Sequence, residues 1–197
     1  SLFFMLRFIA PNSPSTTAQR VLPGAYLIGP DSVPIAGEVV VEEYVIRCEK
    51  GTREAAAVAL QVDLDAHRLR SLAQTGPVLD DIELRPLGSL TLQTCLLPDR
   101  ERPYILALEL ARHRIMLFLT KLEEWQAFDI PAESQIMRLL DRAREVFTQA
   151  LVIAGRGGEA EETERLGYLS LWIAIEASER LTLWQSTRDI RARLDGS

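Results

Sequence analysis

The sequence predicts an α+β protein, with an antiparallel, β-rich, sandwich-like half over residues 1–98 followed by an antiparallel bundle of three helices over residues 103–197. Two textures predict this. Before Pro98, short apolar runs alternate with Pro, Gly, Asp and Ser, the pattern of strands joined by tight connections. After Pro103, apolar residues recur at a 3,4 spacing, the signature of helices with one buried face. The change falls in the short segment from Pro98 to Pro103.

In the first half the expected strands are Met5 to Ala10, Ala25 to Ile28, Glu38 to Glu49, Ala55 to Leu64, Ile82 to Arg85 and Leu90 to Leu97. The run Ser1 to Ala10 is apolar but lacks a basic leader region, so it reads as a first strand, with Met5 a candidate natural start. Glu38 to Glu49 changes phase midway, which suggests one strand carrying a bulge or turning a corner. Lys50-Gly51-Thr52 then reads as a hairpin turn.

In the second half Leu108, Ala111, Ile115, Phe118, Leu122 and Trp125 form the stripe of the first helix. Pro131 is expected in the first turn of the second, where its missing N–H costs nothing. Ile136, Leu140, Ala143, Phe147, Ala150 and Ala154 make that helix's stripe, and Gly155, Gly157 and Gly158 end it. The third runs from about Glu159 to Leu194 on Leu166, Leu169, Ile173, Ala177, Leu181 and Trp184. From Leu166 to Ala177 it is apolar nearly all round, so its middle should be covered on several sides. Short connections make the three helices antiparallel neighbours.

Composition excludes several function classes. The 197 residues are 47% hydrophobic and 25% charged, the range of a folded globular chain. The net charge of −6 is spread evenly, with 10 basic and 13 acidic residues up to residue 102 and 12 and 15 after it. Neither half carries a basic field for phosphate backbones, so no nucleic acid and no membrane surface is expected as a partner. No apolar run reaches the length of a membrane span, and a cytoplasmic location is expected.

No cofactor and no metal is expected. Cys48 and Cys95 are the only thiols, read as strand cysteines in a reducing compartment, and His67 and His113 lack companions at zinc-ligand spacing. Asp80-Asp81 reads as a solvated turn, and Gly155-Arg156-Gly157-Gly158 lacks the Lys-Ser/Thr ending of a phosphate loop. Glu176 and Arg180, at i and i+4, read as an intrahelical ion pair. No catalytic residue is assigned. Among aromatic residues, Tyr26 and Tyr44 are the candidate sugar contacts of the β-rich half, whereas Trp125, Trp172 and Trp184 fall at core or interface positions of the helices.

The run Arg102-Pro103-Tyr104-Ile105-Leu106-Ala107-Leu108-Glu109-Leu110-Ala111-Arg112, continued by Glu124-Trp125, carries a family resemblance. It resembles the Pro-Tyr-x-Leu-x-x-Glu-Leu-Ala-Arg signature in the N-terminal region of bacterial, planctomycete-type proteins whose C-terminal part is a family-ten glycoside hydrolase, xylanase-like barrel. Met5-Leu6-Arg7-Phe8 and Ala174-Ile175-Glu176-Ala177-Ser178-Glu179-Arg180-Leu181 are similar to the start and the last pre-barrel helix of those proteins. The resemblance implies a non-catalytic accessory region, with the two catalytic glutamates on a barrel downstream of Ser197 and the parent chain acting in carbohydrate metabolism. Pro103, Tyr104, Glu109, Arg112 and Trp125 are then the signature and interdomain residues, Tyr104 docking the helices and Glu109 with Arg112 holding a neighbouring loop or domain surface.

Three functions from different classes follow. The first is the accessory region, whose partner is the downstream barrel of the same chain and, through it, polysaccharide. The second is a helical self-association or protein-interaction module that forms an oligomer through the third helix. The third is an atypical carbohydrate-binding module or a small stand-alone enzyme, either of which requires a deep pocket with converging polar groups.

Overall fold

The computed structural model describes residues 4–11, 18–73 and 82–196. Phe3, Asp80 and Asp81 lie outside them. In chain order the elements are β1 (Phe4–Ile9), β2 (Arg20–Val21), β3 (Tyr26–Ile28), β4 (Pro34–Ile35), β5 (Gly37–Glu42), β6 (Val45–Lys50), β7 (Ala57–Leu64), α1 (Ala66–Ala73), β8 (Gly88–Gln93), β9 (Tyr104–Ile105), α2 (Leu106–Glu124), α3 (Gln135–Gly155) and α4 (Ala160–Asp195). The protein is thus α+β, with its sheets towards the N-terminus and its long helices towards the C-terminus.

The strands form a five-stranded sheet in the order β2-β5-β6-β1-β9 and a four-stranded sheet in the order β4-β3-β7-β8. Every pairing is antiparallel except that of β1 with β9. Alternation sets the buried faces. Leu6 and Phe8 of β1, Ile46 and Cys48 of β6, and Val58, Leu60, Val62 and Leu64 of β7 point inward and join Leu110 of α2 and Trp172 of α4 in one apolar cluster. A second cluster lies among α2, α3 and α4.

Several expectations need correction. The segment Glu38 to Glu49 is a hairpin, β5 and β6, in which Glu42 pairs with Val45 across Glu43 and Tyr44. Its change of phase is the turn itself, and Glu43 adopts a φ of 54° without the glycine that would have marked the position. Lys50-Gly51-Thr52 is not a hairpin turn, because β6 and β7 belong to different sheets. Ile82 to Arg85 is not a strand; it lies along α4, where the Trp172 indole N–H donates to the Arg85 carbonyl at 2.8 Å. Pro131 precedes α3 within a turn, and the helix starts at Gln135, where the Ser134 hydroxyl accepts from the Met137 N–H at 3.3 Å. The described residues hold four helices instead of three, the extra one being α1 between β7 and β8. No helix among them is long and apolar enough to cross a membrane.

The helix stripes lie where the periodicity puts them. Every residue of α4 from Leu166 to Ala177 is buried, between α2, α3 and the sheets. At Gly167 the backbones of α4 and α2 come so close that an added Cβ would sit 2.9 Å from the Leu108 nitrogen and 3.1 Å from the Ala107 Cβ. Phe118 is 1% exposed, whereas Trp125, at the end of α2, is half-buried with Lys121 over its ring at 5.6 Å. Phe118→Ala is therefore expected to cost about 3–5 kcal/mol, a full core truncation, and Trp125→Ala about half of that. Urea unfolding of the two variants checks the ratio; equal losses would mean that Trp125 is covered as completely as Phe118.

Both cysteines are free thiols, Cys48 buried and Cys95 partly exposed. Burial pushes the Cys48 thiol up from 9.0 to about 12. Between those values the unfolded chain releases a proton that the native state keeps, so this thiol's contribution to stability is intact below pH 9 and is lost as pH rises towards 12. Urea midpoints measured across that window should fall less steeply in Cys48→Ala than in the parent protein.

Candidate functional site

Pro103, Tyr104, Glu109 and Arg112 lie at the joint between sheets and helices. Tyr104 enters the first sheet as β9, its Phe8 neighbour 5.8 Å away between ring centroids, and its hydroxyl donates to the Pro98 carbonyl at 2.8 Å. The Arg100 guanidinium stacks on the outer face of the same ring, 3.4 Å from its centroid, and donates to the carbonyls of Arg102 at 2.7 Å and Pro103 at 3.2 Å. Burial raises the Tyr104 hydroxyl pKa, with the Arg100 charge opposing. Arg7 donates to the Glu101 carbonyl and Arg102 to that of Ala154. The segment from Pro98 to Pro103 is thus a tied strap that leads Tyr104 into α2.

Lys50 anchors the strap from below. Its side chain is fully buried, and its ammonium meets the carbonyls of Thr52 at 2.9 Å and Glu54 at 2.6 Å and the Asp99 carboxylate at 3.0 Å. All three of its donors are therefore used. On α2, the buried Glu109 accepts from Arg112 at 3.0 Å, and the Arg112 guanidinium lies 5.2 Å from the Phe147 ring centroid of α3. Pro103, Glu109 and Arg112 line a shallow cleft of about 300 Å³ that reaches Gly158. The structure so gathers Pro103, Tyr104, Glu109 and Arg112 in one region, while Trp125 lies at the far end of α2.

Other candidates are dispersed or committed. Tyr26 and Tyr44 are exposed but lie on different sheets, Tyr26 in β3 and Tyr44 in the β5–β6 turn, and so do not form one aromatic platform. Glu176 accepts from Arg180 at 2.9 Å and lies 3.7 Å from Arg85, which also holds Glu179 at 2.5 Å. These carboxylates tie the segment before β8 to α4. Burial lowers the pKa of His113, and the nearby Arg114 charge adds to that shift. Among the described residues no cluster of three or more His, Cys, Asp or Glu side chains is placed to hold a metal.

The distal end of α4 is exposed. This helix is 36 residues long and outruns α3, whose first residue, Gln135, already contacts Arg180 at 2.8 Å. Beyond Gln185 every residue to Gly196 is exposed. Leu183 is 68% exposed, Ile190 57% and Leu194 70%. Beside them a groove of 650 Å³ runs between α4 and the start of α3, bounded by Ile136, Trp184, Thr187 and Arg191. The buried phase of α4 ends at Trp184. A second stripe, Leu183, Thr187, Ile190 and Leu194 at spacings of 4, 3 and 4, was present in the same residues and marks this surface.

Comparison with protein-family models, with curated proteins and with solved structures gives no match for this chain.

Proposed function

We propose that this chain is a non-catalytic accessory region of a family-ten glycoside hydrolase, xylanase-like protein, and that it packs against a downstream catalytic barrel and shapes its substrate cleft. The observation that carries the docking half of this reading is the exposed stripe of Leu183, Ile190 and Leu194 on the last turns of α4. Large aliphatic side chains repeated along one side of a helix gain free energy only when another surface covers them. The hydrolase half rests on the signature from Pro103 to Arg112, whose residues form a rigid joint between the sheets and the helix layer. In this reading the two sheets serve as a sandwich-like platform, and α4 is the arm that reaches the barrel.

The 4, 3, 4 spacing of the distal stripe also suits pairing with a second copy, and this is the second reading. A sugar-binding module has less support, since Tyr26 and Tyr44 stand on separate sheets.

The test is to read the native gene past Ser197, express the longer protein beside residues 1–197, and measure reducing sugar released from xylan together with amide exchange along α4. The expected result is activity in the longer protein alone, with residues 183–195 protected there and unprotected in the shorter chain. A stop codon soon after Ser197, or a longer protein that leaves these amides unprotected, would overturn it.

A further inference from the structure

We infer that the distal end of α4 takes an acidic partner: an amphipathic protein helix whose apolar stripe is flanked by carboxylates. The inference rests on the docking reading above and adds the chemistry of the surface that docks. If Leu183 and Ile190 occupy d positions of a helix pair, Thr187 and Leu194 occupy a positions, and the flanking e and g positions are Trp184, Ser186, Arg191 and Arg193. Both charged members of that set are arginines. Neither Arg191 nor Arg193 makes an ion pair among the described residues, whereas Arg188 is within 3.5 Å of Asp129 and Asp189 is held by Gln185 at 2.8 Å. Arg193 also lies in the last turn, where a cation complements the helix dipole, but that interaction occupies none of its donors.

The same positions weigh against a second copy of this chain. In an antiparallel pair, Arg191 and Arg193 would face arginine, tryptophan or serine; in a parallel pair, Arg191 would face Ser186. The parallel arrangement offers Arg191 no carboxylate, and the antiparallel one offers none to either arginine and brings like charges together. An acidic helix laid in the groove covers Leu183 and Ile190, packs on Trp184, and meets both guanidinium groups at the rim. Asp189 and Asp195 fall at c and b positions, away from the seam, so in a chain of net charge −6 the rim beside the stripe carries arginine without acid and favours a carboxylate-flanked helix.

The probes are two labelled synthetic helical peptides with the same Leu/Ile stripe, one flanked by Glu and one by Lys, titrated with residues 1–197 by fluorescence anisotropy. The Glu-flanked peptide is expected to bind at least about tenfold more tightly at low salt, the effect of a few rim pairs changing from attraction to repulsion. That gap should narrow in about 1 M salt, where screening acts over roughly 3 Å. Arg191→Glu/Arg193→Glu should reverse the preference, and Ile190→Asp should abolish binding of both peptides, with circular dichroism unchanged because all three side chains lie outside the core. Equal binding of the two peptides, or binding of neither, overturns the inference. So does a dimer of residues 1–197 in sedimentation that Ile190→Asp dissolves, which would assign the stripe to a second copy. A stop codon after Ser197 would remove the hydrolase reading but leave the charge preference standing; an active longer protein with protected α4 amides and indifferent peptides would do the reverse.

Discussion

Trp172→Ala is expected to lower stability by about 3–5 kcal/mol, which for a chain of this length is a fall of roughly 6–20 °C in melting temperature. Trp172 is completely buried in the middle of α4 and belongs to the cluster that joins both sheets to α2 and α4. Removing the indole opens a cavity between layers that cannot collapse independently. It also takes the donor from the Arg85 carbonyl, 2.8 Å away, so the segment before β8 loses its tie to the helix. Trp172→Phe separates the two effects: it keeps most of the volume and should cost about 1–2 kcal/mol, the scale of one buried hydrogen bond plus a small packing defect. Circular dichroism melts of the two variants provide the check. A loss below about 1 kcal/mol for the alanine variant would mean that the segment from Ile82 to Leu87 does not lie on α4 as described.

At the Lys50–Asp99 pair, removing the anion should cost more than removing the cation. Asp99→Ala leaves a fully buried ammonium with two carbonyl partners and no counter-charge, an expected loss of about 3 kcal/mol, at the lower end for broken buried pairs because Asp99 itself is partly exposed. Lys50→Met keeps much of the side-chain volume and leaves a carboxylate that water can reach, at a cost of about 1–2 kcal/mol. The double variant should lie near Lys50→Met alone, since without the lysine the aspartate has little left to stabilise. Urea unfolding of all three tests this order. If Lys50→Met proved the more damaging, the ammonium's bonds to Thr52 and Glu54 would outweigh its charge pairing, and the strap would be held from the β6–β7 connection instead of by Asp99.

The helices were legible because each has a stripe that the core rewards. Leu166 to Ala177 even announced burial on all sides, and the structure covers every one of those residues. The β-half was less legible. The β5–β6 turn uses Glu43 and Tyr44 where glycine or asparagine would have signalled it, so a hairpin looked like one bent strand. β2, β4 and β9 have two residues each, too short for any alternation to register, and β9 exists because the Tyr104 hydroxyl and the strap hold it against β1. Of the candidate site, the run from Pro103 to Arg112 stands out by its residue types, whereas the role of Arg100 and Arg102 as ties on the strap depends on partners as distant as Ala154. The distal stripe of α4 was written in the sequence at heptad spacing. The neighbouring phase, ending at Trp184, is the one that the core uses, and its stronger apolar period hides the second.

The backbone contact at Gly167 seats one end of a clamp on α4. With no side chain between the helices there, α4 rests directly on the α2 backbone, and the buried run from Leu166 to Ala177, with Leu181 beyond it, holds the helix over the next turns. Only the residues past Gln185 overhang, and from there to Leu194 the helix rises roughly 13 Å. The tip of α4 is thus a short cantilever on a long clamp, so its direction is set by the packed helix layer.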